Sequence, residues 1–270
     1  MRLILIFTLL ISLAGVSRAQ LSGIPPVGPV SNGLGGISST FDNAWSIFNN
    51  PAGLTGNDEL VGVFGYQTIF NFAPFNTVAA AVTSPTKIGT VSFGTYRFGD
   101  NIFSSQMGSL GIAKTLGIMS LGIKANYLQY NIQGFGRRSV FVAEMGGLAT
   151  LTDNLRFGMH IYNFTQSIIA EESGEKLPTL LRLSLQYKVN EEIDFYVEGE
   201  KDVEQDPDLK VGLSYNLNGM VVLRTGFSTL TNRHSLGVGV EIKKFTIDYA
   251  LKANSNIGSA HNFGLTYRFK

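Results

Sequence analysis

From residue 61 onward, apolar and polar side chains alternate along the chain with a period of two. "MSLGIKANYLQY" sets Met119, Leu121, Ile123, Ala125 and Tyr127 against Ser120, Gly122, Lys124 and Asn126. "LRFGMHIY" sets Leu155, Phe157, Met159 and Ile161 against Arg156, Gly158, His160 and Tyr162. Successive side chains of a strand point to opposite faces, so this rhythm predicts β-strands. About fourteen segments carry it, at 59–67, 76–84, 88–97, 106–115, 118–130, 138–151, 154–163, 179–188, 193–201, 208–217, 220–229, 233–242, 245–252 and 261–269. The connections add a second rhythm. Those after even-numbered segments are tight ("PTK", "LG", "TDN", "VNEE", "LN", "KK"). Most after odd-numbered ones are longer, from "TIFNFAPF" to "FTQSIIAEESGEKLP", with "TLTN" the short exception.

Short and long connections in turn are the expectation for an antiparallel outer-membrane barrel, with short periplasmic turns and longer outside loops. A soluble β-sandwich would also bury one face of each strand. Three features favour the barrel. Phe157, Tyr187, Phe195, Tyr215, Phe245, Tyr267 and Phe269 gather at the short-turn end, where an interfacial girdle belongs. The closing "FGLTYRFK" resembles the last strand of outer-membrane barrels, which ends on an aromatic; here Lys270 follows Phe269. Charge also sorts to one face. If the apolar face meets lipid, Lys124, Arg156, Arg182, Lys210 and Arg224 all point inward. Turning them outward near the midplane would cost roughly 2–4 kcal/mol each. The predicted fold is therefore all-β, a fourteen-stranded antiparallel transmembrane barrel.

The first twenty residues have the three parts of a secretory signal: Arg2, an apolar run over 3–16, and Ser17-Arg18-Ala19 before an expected cleavage. The domain reading is signal peptide 1–19, an N-terminal hatch segment 20–57 and a barrel 58–270. Within "SSTFDNAWSIFNNPAGL", Phe41, Ala44, Trp45 and Phe48 recur at helical spacing. Ser39 or Thr40 is placed to cap such a helix, Asp42 suits the positive end of its dipole, and Pro51 requires it to stop by Asn50. Upstream, "GIPPVGPVSNGLGG" predicts an irregular extended run. A fourteen-strand barrel is too wide for wall side chains alone to fill, so the segment is expected to plug the lumen or its periplasmic mouth. The alternative is a helix lying at the membrane interface outside the barrel.

Composition removes several functions. With 15% charged residues and a net charge of +1, the chain lacks the basic face of a nucleic-acid binder. It has no cysteine, hence no disulfide, thiolate metal site or cysteine-linked lipid. His160, His234 and His261 lie on separate strands without ligand spacing and read as isolated lumen residues. No nucleophile elbow, zincin or phosphate-loop motif appears, so no enzyme, catalytic residue, metal or cofactor is expected. Lumen charges of both signs face one another: Glu144, Asp194, Glu198, Glu200, Glu241 and Asp248 against Lys124, Arg156, Arg182, Lys188, Lys210, Arg224 and Arg268. Near balance predicts structural pairing rather than an ion-selective constriction. A wet lumen would leave most such pairs weak.

"GGISSTFDNAWSIFNNPAGL", with Phe41, Trp45, Phe48 and the run Asn50-Pro51-Ala52-Gly53, resembles the N-terminal hatch of FadL-like outer-membrane proteins. It is similar in particular to the PorV/PorQ branch found in Bacteroidota and linked to type IX secretion. The resemblance covers roughly 33–56, and the chain departs from it in being short and in lacking a Leu-Pro-Thr-Ser-Ala-Arg-like stretch. It implies an outer-membrane protein in contact with lipid and with secretion or envelope proteins, in a structural or accessory role. The alternative it implies is a FadL-like channel for small hydrophobic compounds, with "TIFNFAPF" (68–75) as an outside landing strip or an interfacial patch.

Overall fold

The computed structural model describes residues 27–170, 175–203, 205–254 and 258–269. The expected signal peptide lies outside them. The strands are β1 (Val61–Ile69), β2 (Thr77–Thr86), β3 (Gly89–Gly99), β4 (Phe103–Leu116), β5 (Met119–Ile132), β6 (Gly136–Thr152) and β7 (Leu155–Tyr162). A short pair, β8 (Ile168–Ala170) and β9 (Glu175–Lys176), follows. Then come β10 (Leu180–Lys188), β11 (Ile193–Asp202), β12 (Asp208–Leu217), β13 (Val221–Ser228), β14 (Arg233–Ile242), β15 (Phe245–Asn254) and β16 (Gly258–Arg268). All but β8 and β9 form one closed antiparallel barrel of fourteen strands, sealed where β1 pairs with β16 from Val61↔Arg268 to Ile69↔Ala260. Closure satisfies the strand backbone internally, which hydrocarbon demands. No described helix is long and apolar enough to cross a membrane.

Period-two alternation decides which face is which. Phe64, Phe93, Leu110, Ile123, Phe141 and Ile247 stand exposed on the outer face. Their neighbours Lys124, Asn126, Val142 and Asp248 are buried inside. The β8–β9 pair was not legible as strands. It sits in the long connection after β7, which folds back so that Leu177 joins the buried core.

The described part of the N-terminal segment occupies the lumen, and its conformation corrects two expectations. The Gly/Pro-rich stretch is not wholly extended: Pro29–Gly33 forms one α-helical turn, α1, with Pro29 at its first position. The helix expected over 41–48 does not form. That segment is a chain of turns with 3₁₀ pieces at Ser46–Phe48 and Pro51–Gly56. Pro51 opens the second piece rather than ending a helix, and neither Ser39 nor Thr40 caps one. The physical cause is the surroundings. An amphipathic helix suits burial on one side, but this segment meets the wall on several sides. Phe41 meets Tyr196 of β11 edge-on at 5.6 Å, Trp45 lies against Gly65 of β1 and Gly264 of β16, and Phe48 lies against Gly94 of β3. Three directions exceed what one helical stripe offers. Local side-chain bonds also compete with helix formation: Trp45 N donates to Asn43 Oδ1 at 2.9 Å and Ala52 N to Asn50 Oδ1 at 3.0 Å.

Candidate functional site

The inward positions of the wall are layered. On β5 they read Gly122, Lys124, Asn126, Leu128, Tyr130; on β6, read from its other end, Gly146, Glu144, Val142, Val140; on β7, Gly158, His160, Tyr162. Glycine lies on the short-turn side of the buried charges, and bulky apolar groups lie on their long-connection side.

The glycine layer receives the hatch backbone. Pro51 and Ala52 lie directly on Gly122, Asn50 on Gly146, Ser39 and Thr40 on Gly158, and Leu34 and Gly35 on Gly226. A Cβ at any of these wall positions would collide with hatch backbone or with the Asn50 side chain. Asn50 is the fastening. Its Nδ2 donates to Ser39 O at 2.6 Å and to Gly147 O and Met159 O at 3.2 Å each. Gly53 lets the following turn pass against the Phe41 carbonyl.

The charged layer is a belt across six adjacent strands. Lys124 Nζ contacts Glu144 Oε2 at 2.8 Å and donates to Ile47 O of the hatch at 2.8 Å. Asn126 Nδ2 donates to Glu144 Oε1 at 2.6 Å, and His160 Nε2 lies 2.8 Å from Glu144 Oε2. Arg182 Nη1 lies 3.4 Å from His160 Nδ1, and its Nε donates to Glu200. Lys210 Nζ closes the belt on Glu200 at 2.8 Å and Glu198 at 3.6 Å. Glu198 Oε2 accepts from Ser38 N at 3.0 Å, Ser39 N at 2.9 Å and Ser184 Oγ at 2.7 Å. Register explains the order, since Lys124↔Glu144, Arg182↔His160, Arg182↔Glu200 and Glu198↔Lys210 are cross-strand partners.

Two expectations are corrected here. His160 is not an isolated lumen residue but the bridge between Glu144 and Arg182. From Lys124 to Arg182 the belt is also buried rather than water-weakened: Lys124, Glu144, His160 and Arg182 are each no more than 3% exposed. Removing one member of such a set strands a buried charge, so the belt locks hatch to wall. The remaining charges sit apart. Arg156 pairs with Asp42 at 2.8 Å, Arg224 with Asp248 at 2.7 Å and Arg268 with Glu241 at 3.0 Å. His234 and His261 are not lumen residues either: alternation puts them on the outer face with Leu236 and Phe263, where His261 bonds the Tyr249 hydroxyl at 2.8 Å and His234 faces Phe227 with ring centroids 4.8 Å apart. Among the described residues no group of three His, Asp or Glu side chains is placed to hold a metal ion.

Beyond the belt the lumen turns apolar on one side. Tyr96, Met107, Leu128, Tyr130, Val140, Val142 and Tyr162 form one buried cluster with Leu177, Leu180 and the hatch residues Trp45, Ile47 and Phe48. A file of rings joins this column to the surface. Phe70 and Phe72 meet Phe75 at 6.3 and 5.2 Å, and Phe75 stacks on Phe98 at 6.4 Å. Phe98 meets Phe103 at 6.3 Å, and Phe103 meets Tyr130 at 6.4 Å. Sequence reading recognised the strip at 68–75 but missed its continuation inward. The signal was present in the alternation, which puts Leu128 and Tyr130 on the face of Lys124. At the short-turn end, a cavity of 590 Å³ opens between the hatch and β13–β16, lined by Asp42, Trp45, Asp58, Arg224, Glu241 and Arg268 among others.

A closed fourteen-strand barrel filled by its own N-terminal segment is the class of protein these features define. Its fold is that of solved hydrocarbon channels. The toluene transporter TbuX of Ralstonia pickettii is 12% identical with a TM-score of 0.70, the match covering 91% of this chain and 99% of that one. The monoaromatic hydrocarbon channel CymD is 13% identical at a TM-score of 0.68, covering 92% and 99%. The P. putida toluene transporter TodX is 12% identical at 0.64, covering 91% and 99%. Such low identities establish shared fold. No protein-family profile matches the chain, and no curated protein matches it by sequence.

Proposed function

We propose that this protein is an outer-membrane channel for small hydrophobic compounds, of the FadL-like kind, with its short turns in the periplasm. The observation that carries the reading is the unbroken file of rings from Phe72 at the surface to Tyr130 in the lumen, continuous with the buried column above the hatch. Phe70, Phe72 and Phe75 stand exposed on the long-connection side, an apolar landing strip of the kind that marks a binding site. From there each step to the next ring is of similar character, so a small apolar molecule meets no polar barrier before the belt. That solved barrels of the same fold are named as toluene and monoaromatic hydrocarbon channels supports this solute class. The two roles implied by the sequence thus change order: the channel ranks above the type IX secretion accessory of PorV/PorQ type, for which no comparable feature speaks.

The test is binding of radiolabelled toluene to the purified, detergent-folded protein. Saturable binding that weakens in Phe98→Ala and Phe103→Ala is the expected result. Binding that never saturates, or that is indifferent to both substitutions while the barrel stays heat-modifiable on gels, would refute the channel reading.

A further inference from the structure

On the inner face, Lys124, Arg156, Arg182, Lys210, Arg224 and Arg268 each meet a carboxylate. Arg233 and Lys252 do not. Arg233 opens β14 and Lys252 lies near the far end of β15, so both stand at the long-connection mouth of the lumen. Register makes them neighbours. Ser235 is the cross-strand partner of Lys252, and Arg233 is the adjoining inward residue along β14. Among the described residues Lys252 makes one polar contact, its Nζ donating to Asn32 Oδ1 of α1 at 3.1 Å, and the Arg233 guanidinium makes none. Both side chains are half-buried.

Two like charges held side by side on one face of a sheet repel. The carboxylates whose charge reaches Lys252 are Glu200 and Asp208, and each is directed elsewhere. Glu200 is taken by Arg182 and Lys210. Asp208 accepts from Ser228 Oγ at 2.8 Å, Thr229 Oγ1 at 3.2 Å and Leu230 N at 2.9 Å. The groups flanking the two cations are donors left over. Ser235 is 1% exposed and its hydroxyl has no partner. Asn262, 2% exposed, pairs with Ala250 and so lies one inward step from Lys252. Its Oδ1 accepts from Asn32 Nδ2 at 2.9 Å, while its own Nδ2 is unpaired. Buried donors seldom go unanswered.

A guanidinium, an ammonium, a hydroxyl and an amide on adjoining positions call for an anion with several oxygens and more than one negative charge. A carboxylate brings one charge and would leave one cation unmatched. A phosphate dianion answers both and still has oxygens for the neutral donors. We propose that the long-connection mouth between β14, β15 and β16 is a phosphate site, where Arg233 and Lys252 hold a phosphate dianion, free or as the head of a phosphomonoester, and Ser235 and Asn262 donate to its oxygens. None of these four residues belongs to the apolar column, so the site does not depend on the channel reading.

Calorimetry tests it, with inorganic phosphate, phenyl phosphate and acetate titrated into the detergent-folded protein in phosphate-free, mildly alkaline buffer. Saturable phosphate binding is expected, about tenfold or more tighter than acetate. Arg233→Met and Lys252→Met should each weaken it about tenfold or more, and Ser235→Ala about threefold. Lys188→Met, whose pair with Glu191 lies at the short-turn end, should leave it unchanged. Variants are compared as heat-modifiable, folded barrel. Phenyl phosphate bound tighter than phosphate assigns the site to a phosphorylated solute, and equal binding assigns it to the free ion. No saturable phosphate binding, acetate bound as tightly as phosphate, or indifference to both cation substitutions overturns the site. Toluene binding, measured alongside, tests the channel reading separately.

Discussion

The belt makes a quantitative prediction through Lys124 and Glu144. In Lys124→Met the side-chain volume is kept and the cation removed. Glu144 retains Asn126 at 2.6 Å and His160 at 2.8 Å, so its buried charge stays partly satisfied. The loss falls at the low end of the roughly 3–5 kcal/mol that breaking a buried pair costs. Glu144→Leu belongs at the high end. It leaves the Lys124 ammonium with only the Ile47 carbonyl at 2.8 Å, and it takes the acceptor from Asn126 and His160. Joining Lys124→Met to Glu144→Leu removes both charges, and most of the loss should return, with a coupling of about 2 kcal/mol or more. Urea unfolding in detergent is the assay, followed by Trp45 emission and approached from the folded and unfolded sides. Singles within about 0.5 kcal/mol of wild type would show that the belt bears no strain. A double variant as destabilised as the two singles summed would show that the charges act independently. Either result refutes the lock.

Asn50→Ala strips the hatch of its fastening to Ser39, Gly147 and Met159, and should cost about 1–3 kcal/mol while exposing the hatch to protease, read as new cleavage within 27–57. Arg156→Met breaks a pair whose side chains are 30% and 41% exposed, and should cost no more than about 1 kcal/mol in the same urea assay, in contrast to Lys124→Met. Ile123→Arg sets a charge on the outer face of β5, where Ile123 is 61% exposed; refolding into lipid vesicles should show a loss of about 2–4 kcal/mol if hydrocarbon lies there. Lys188→Ala, which removes a surface pair with Glu191, should shift stability by less than about 0.5 kcal/mol.

How far the site was legible follows from what each feature depends on. Strand number, closure and the sorting of faces depend on period and turn length, which are local, and the sequence displays both. Part of the belt was legible too. The hairpin turning near Gly134 pairs Lys124 with Glu144, and the short turn near Glu191 pairs Arg182 with Glu200. The link between these two halves was not, because Arg182↔His160 spans the long connection that holds β8 and β9. No turn fixes that register, so His160 read as solitary. The hatch conformation failed for a different reason. Helical spacing of Phe41, Trp45 and Phe48 signals burial along a single stripe, and here the three rings pack against β11, β1 with β16, and β3, in three directions.

The same burial changes what lumen polarity means. Charges on inward faces suggested a wet interior, in which pairs contribute little. Where the hatch backbone fills the glycine layer, Lys124, Glu144, His160 and Arg182 are buried and become the joint between plug and wall, while Arg156, Glu241 and Arg268 stay partly exposed. The glycines are then as informative as the charges. A wall position lacking a side chain, as at Gly122, Gly146, Gly158 and Gly226, marks where backbone must fit, and bulky inward residues such as Leu128 and Tyr130 mark where it does not reach. Other wall glycines receive hatch side chains instead: Gly94 takes Phe48, Gly111 takes Ile47 and Leu54, Gly212 takes Leu34 and Ile37, and Gly65 and Gly264 take the Trp45 indole.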